Sequence, residues 1–110
     1  MSSEPVPSFS AALTPDAEGN VVVTLSGEID LFSADQVWAA LVEALTVWTG
    51  QVVVDFSGVS FLDSQGLHAL LHVHRDCDFD AGRLTLRSPQ PQARKVFEMI
   101  GLDTILRIEG

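Results

Sequence analysis

"QVVVDFSGVSFLDSQGLHALL" (51–71) holds three patterns in succession. Its first six residues include three consecutive valines, a run that suits a strand covered on both faces, as in a parallel sheet. "SGVSFL" (57–62) reads as a connecting loop. The helix that follows starts at Asp63 or Ser64, with Leu67, Leu70, Leu71 and His74 on its inner stripe. A strand followed by a helix within about twenty residues is the unit of an α/β domain, and the flanks extend that pattern.

Upstream, "FSAAL" (9–13) and "NVVVTLSG" (20–27) are two strands joined by the turn residues of "TPDAEGN", which predicts an antiparallel hairpin. "SADQ" (33–36) has the capping-box pattern, with Ser33 as N-cap and Gln36 reaching back. Trp38, Leu41, Leu45 and Trp48 follow at helical spacing, both tryptophans are expected to pack on the sheet, and Gly50 supplies a stop. Downstream, "DFDAG" (78–82) ends the second helix and "RLTLR" (83–87) is a short strand. Pro89 and Pro91 suit the first turn of a third helix, with Ala93, Val96, Phe97 and Ile100 inward. "TILRI" (104–108) is a last strand. The order β-β-α-β-α-β-α-β predicts an α/β fold with a mixed sheet of about five strands and helices packed against it.

The chain has 110 residues, enough for one core, and is 46% hydrophobic. Residues 1–8, with two prolines and three serines, read as a flexible tail before a domain spanning 9–110. The formal net charge is −9, with only six Lys and Arg and no basic run. Such a surface disfavours nucleic acid and anionic lipid. Cys77 stands alone, which excludes an internal disulfide and agrees with a reducing compartment. "MSSEPVPS" does not read as a secretory signal and no apolar run is long enough for a bilayer, so a cytoplasmic protein without membrane insertion is expected.

Ser64 has three readings. It can cap the helix, because its oxygen can accept from first-turn N–H groups. It can be a nucleophile, with His68 one turn on, although no G-x-S-x-G elbow surrounds it. It can accept a phosphate, which would meet free N–H groups and the positive end of the helix dipole. Asp63 is also a good cap, and as the cap it leaves the Ser64 hydroxyl free. Gly66, lacking a side chain, would let a partner's backbone come close. His68, His72 and Asp76 share one face at i, i+4, i+8; two histidines at that spacing can hold zinc, but without the Glu of H-E-x-x-H a solvated face is the simpler reading, and no metal or other cofactor is expected. His74 and Cys77 read as inner or boundary residues, and Asp55 as a carboxylate that bonds a loop.

The same 51–71 stretch resembles the signature of STAS domains, and specifically of bacterial anti-sigma factor antagonists. "VVVTLSGEIDLFSA" (21–34) resembles that family's second strand and Gly-Glu-Ile-Asp corner, and "SPQPQARKVFEMIGLDTILRI" (88–108) its last helix and strand. The resemblance implies a single STAS domain that is not an enzyme but a phospho-switched binding module. Unmodified, it would bind an anti-sigma factor that is a serine kinase, and so release a sigma factor. Phosphorylation of Ser64 would end the complex and a serine phosphatase would reset it, with Asp30 and Asp63 as the acidic neighbours of the serine. The implied partner surface is Asp30, Asp63, Gln65, Gly66, Leu67 and His68, and a weak homodimer is left open. Two positions depart from the family: Gln65 replaces a second hydroxyl, and His68 a small residue. The alternative is a STAS subunit of a larger assembly, such as a membrane lipid-transport complex, in which Ser64 is never phosphorylated.

Overall fold

The computed structural model describes residues 9–76, 83–104 and 106–110, the side chains of 74–76 excepted. The expected tail (1–8), the end of the second helix (78–82), the Cys77 side chain and the side chains of His74 and Asp76 therefore lie outside the described residues.

The elements run β1 (Phe9–Pro15), β2 (Val21–Ile29), α1 (Ala34–Val47), β3 (Val52–Leu62), α2 (Ser64–Asp76), β4 (Leu84–Arg87), α3 (Pro91–Met99), a 3₁₀ turn (Leu102–Thr104) and β5 (Arg107–Glu109). The five strands lie in chain order in one mixed sheet. β1 and β2 form the antiparallel hairpin, and every later pair is parallel. The expected α/β order is the order found.

The alternation of β2 and β3 decides which face the helices cover. Val21, Val23 and Leu25, with Val52, Val54 and Phe56, are fully buried, whereas Val22 and Val53 are only half-buried and Thr24 is exposed. The valine run is thus covered fully on one face only, because the second face continues as the polar ladder Thr24, Asp55, Arg87, Glu109. On the covered face Phe97 of α3 meets Phe56 edge to face, ring centroids 5.4 Å apart. Across the ladder Arg87 pairs with Asp55 at 3.4 Å, and the Ser57 N–H donates to Asp55 at 2.9 Å. Partial burial pushes the Asp55 pKa up, but these Ser57 and Arg87 contacts prevail and hold it below the usual carboxylate value. Asp55 bonds its own loop, as its sequence position suggested.

Four expectations change. "SGVSFL" is not a loop: β3 runs on to Leu62, paired with β2 from Ser26↔Gly58 to Ile29↔Leu62. Two irregularities of register absorb its extra residues, and Gly58 sits where a Cβ would be 2.9 Å from the Ser26 Cβ, so this Ser-Gly marks a bulge rather than a turn. In α1 the inner stripe is Val37, Ala40, Leu41, Ala44 and Leu45, and Trp38 is 41% exposed. Trp38 stands at the edge of this stripe, on the side that faces α2, and Trp48 is half-buried against the core. The capping box does not form, since Ser33 makes no side-chain cap bond to α1; instead Asp30 Oδ1 takes the N–H groups of Phe32 (2.9 Å) and Ser33 (3.2 Å) in the turn that precedes the helix. The buried Ser33 hydroxyl accepts from the Asp30 N–H (2.9 Å) and donates to the Glu28 carbonyl (3.0 Å). At the C-terminal end α3 stops at Met99, which leaves Ile100 exposed; the segment 102–104 is a 3₁₀ turn, and the last strand is Arg107–Glu109.

Candidate functional site: the helix start at Ser64

The site is built where β2 and β3 end side by side. The Asp63 N–H donates to the Ile29 carbonyl at 3.1 Å, so the two strands are still joined at the residues from which Asp30 and Ser64 continue the chain. Asp63 then caps α2: its Oδ1 accepts from the N–H groups of Gln65 (2.9 Å) and Gly66 (3.0 Å), and its carbonyl accepts from Leu67 (3.0 Å). Ser64 is left as the first helical residue, exposed, with no hydrogen-bonded base among the described residues. Of the three readings of Ser64, the cap belongs to Asp63.

The expected partner surface divides in two. Gln65 and His68 are exposed, and Asp30 and Asp63 are half-buried. Leu67 is only 5% exposed and belongs to the core. Gly66 is buried too, and a Cβ there would fall 2.3 Å from Ile29 Cγ2, 2.8 Å from Leu62 Cδ1 and 3.0 Å from the Ile29 carbonyl. Gly66 therefore lets α2 approach β2 of its own chain, which corrects the expectation that its bare Cα faces a partner. These two residues hold the helix start, while Ser64, Gln65 and His68 are displayed.

Two features escaped the sequence reading. The first is Gln92. β4 stops at the level of Asp55, so the outer edge of β3 has no strand beside it where it delivers Asp63 and Ser64. Gln92 of α3 fills the gap: its Oε1 accepts from the Leu62 N–H (3.2 Å) and its Nε2 donates to the Leu62 carbonyl (2.9 Å). Gln90 does the same once, to the Ser57 carbonyl (3.0 Å). No pattern in "SPQPQ" announces an amide that imitates a strand. Gln92→Ala is expected to cost about 1–2 kcal/mol, since two partly buried backbone groups lose their partner. Amide exchange should rise at Leu62 and Asp63, while β1 and β5 keep wild-type rates. An unchanged denaturation midpoint and unchanged exchange at Leu62 would contradict this.

The second is a groove of about 450 Å³ between α1 and α2. Leu31, Ala34, Asp35 and Trp38 line one wall, and Gln65, His68, Ala69 and His72 the other. It begins at the turn that carries Ser64. The i, i+4 histidines lie on this wall, where the sequence had placed them on one solvated face.

Comparison with known proteins places the fold. A family model described as "Mlab, STAS domain" matches residues 13–107. An anti-sigma F factor antagonist of Lysinibacillus sphaericus is 36% identical over 83 residues, 74% of this chain and 71% of that protein. A crystal structure of an anti-sigma factor antagonist from Mycobacterium paratuberculosis superposes with a TM-score of 0.80 at 26% identity, covering 93% of this chain and 86% of that one. The anti-sigma factor antagonist SpoIIAA in its unphosphorylated form gives a TM-score of 0.71 at 30% identity over 90% of this chain and 87% of that one. Bacillus SpoIIAA in its phosphorylated form gives 0.66 at 30% identity over 90% of each. By the match of nearly the whole chain to the family model, and by these relatives, the chain belongs to the STAS domain family.

Proposed function

We propose that this protein is an anti-sigma factor antagonist, a binding module whose state is set by phosphate on Ser64. The observation that carries the reading is the division of labour at the start of α2, where Asp63 does the capping and Ser64 stands exposed and uncommitted. A phosphate there adds a charge of about −1.5 to −2 without removing a bond on which the helix depends. The relatives named anti-sigma factor antagonists, one of them solved with and without phosphate, support the same reading.

The chemistry of the switch follows from the neighbours. Asp63 already occupies the N–H groups of Gln65 and Gly66, so a phosphate on Ser64 rests on the dipole of α2 and on the Ser64 N–H. The supply of free N–H groups is thus smaller than the sequence suggested. Asp30 and Asp63 make the patch acidic before modification, and phosphate deepens it. A serine kinase must present nucleotide phosphates to the Ser64 hydroxyl, so a modified Ser64 would set like charges against each other and disfavour the complex. The partners of this reading are an anti-sigma factor with serine kinase activity and a phosphatase that removes the phosphate.

The test is intact mass after incubation with the anti-sigma serine kinase of the same genome and Mg-ATP. Wild type should gain one phosphate and Ser64→Ala none. Mass unchanged in both would reject the reading and favour a STAS subunit that is never phosphorylated. Phosphate gained by Ser64→Ala would move the acceptor elsewhere.

A further inference from the structure

We infer that the groove between α1 and α2 is the anchoring half of the partner interface, and that it receives an apolar side chain of the anti-sigma factor flanked by Lys or Arg. The inference rests on the antagonist reading and extends it from Ser64 to a second contact.

Three observations lead there. The corner between β2 and α1 exposes Leu31 (62%) and Phe32 (86%), and Trp38 follows on the groove wall. Leu31 and Trp38 line the concave site itself, with Phe32 exposed next to Leu31 in the chain, which is more than the scattered exposure any surface shows. Tryptophan in such a place is the residue type that most often dominates binding energy. The groove is also continuous with the acceptor, because Gln65 and His68, one and four residues after Ser64, line its other wall. A protein seated in the groove is therefore held against the Ser64 turn.

Charge selects among occupants. The groove wall carries Asp35, and the chain as a whole is at −9. A second copy of this chain would bring acid to acid, whereas a partner with a basic residue beside its apolar anchor gains from both. This basic contact is assigned to Asp35 on the α1 wall, across the groove from Gln65 and His68, the residues that follow Ser64. A phosphate on Ser64 therefore opposes the nucleotide rather than strengthening the basic contact.

The experiment is calorimetric titration of the full chain into the purified anti-sigma serine kinase of its own genome, loaded with Mg-ADP. Wild type, Trp38→Ala, Asp35→Lys and Ser64→Glu are compared, and thermal melts verify that each is folded. Trp38→Ala is expected to weaken binding about 30-fold and Asp35→Lys about tenfold. The salt dependence of affinity should flatten in Asp35→Lys and stay as in wild type in Trp38→Ala. If both groove variants bind as wild type while Ser64→Glu is weakened, the groove inference is overturned and the switch stands. If Trp38→Ala loses affinity while Ser64→Glu does not, the groove holds and the switch fails. If wild type neither binds the kinase nor takes phosphate from it, the antagonist reading fails and the groove assignment with it.

Discussion

Gly66→Ala should lower the stability of the folded protein by about 2–3 kcal/mol, although alanine favours a helix over glycine by about 1 kcal/mol. The sign is decided by what the new methyl meets. Ile29 Cγ2 and Leu62 Cδ1, at 2.3 and 2.8 Å from the added Cβ, are ends of side chains and could rotate, but both residues are fully buried among others of the core. The Ile29 carbonyl, at 3.0 Å, is backbone, and it accepts the Asp63 N–H that joins β2 to the start of α2. Relief therefore requires moving α2 away from the sheet and lengthening that bond. Chemical denaturation should show a lower midpoint with an unchanged slope, and amide exchange at Asp63 should accelerate. A variant as stable as wild type would mean that the helix start tolerates displacement, and the argument that Gly66 fixes the position of Ser64 would fall.

The contrast between Gly66 and Ser64 also shows what the sequence could and could not reveal. Local chemistry was legible: Asp63 as cap, Ser64 as the uncommitted hydroxyl, the hairpin, and the alternation of strands and helices. All of these depend on neighbours in the chain. Residues whose role is set by distant partners were misread. Nothing near Gly66 in sequence announces Ile29, so its bare Cα reads as open to a partner. "SGVSFL" looked like a loop because Ser-Gly usually marks a turn, whereas here the second half of β3 is held by β2 and, on its other edge, by Gln92. In α1 the expected stripe shares Leu41 and Leu45 with the one found, but Val37, Ala40 and Ala44 take the inner places that its spacing gives to Trp38, because small side chains announce burial in a sequence less than a tryptophan does.

Ser64 substitutions should separate binding from folding more sharply than any other change in the molecule. Ser64→Ala removes a hydroxyl that caps nothing, so its stability should stay within about 0.5 kcal/mol of wild type. It should bind the anti-sigma factor as wild type does and remain bound after kinase and Mg-ATP are added, because no phosphate can form at this position. Ser64→Glu places a carboxylate at the first position of α2. The helix dipole favours it by about 0.3–1 kcal/mol, and Asp30 and Asp63 oppose it by repulsion, so the melting temperature should move little. Affinity should nevertheless fall on the order of a hundredfold, since like charges set against each other in an interface cost several kcal/mol and each 1.4 kcal/mol is tenfold. A carboxylate carries less charge than a phosphate, so phosphorylated wild type should be weaker still. The comparison is made by titrating the ADP-loaded kinase with Ser64→Ala, Ser64→Glu and wild type before and after phosphorylation, with a thermal melt of each. Ser64→Glu that binds as tightly as Ser64→Ala would break the link between charge at this helix start and release of the partner. Ser64→Glu that fails to bind because it is unfolded would show instead that the start of α2 cannot accept charge, and a phosphate at Ser64 would then act by disrupting the domain rather than by altering its surface.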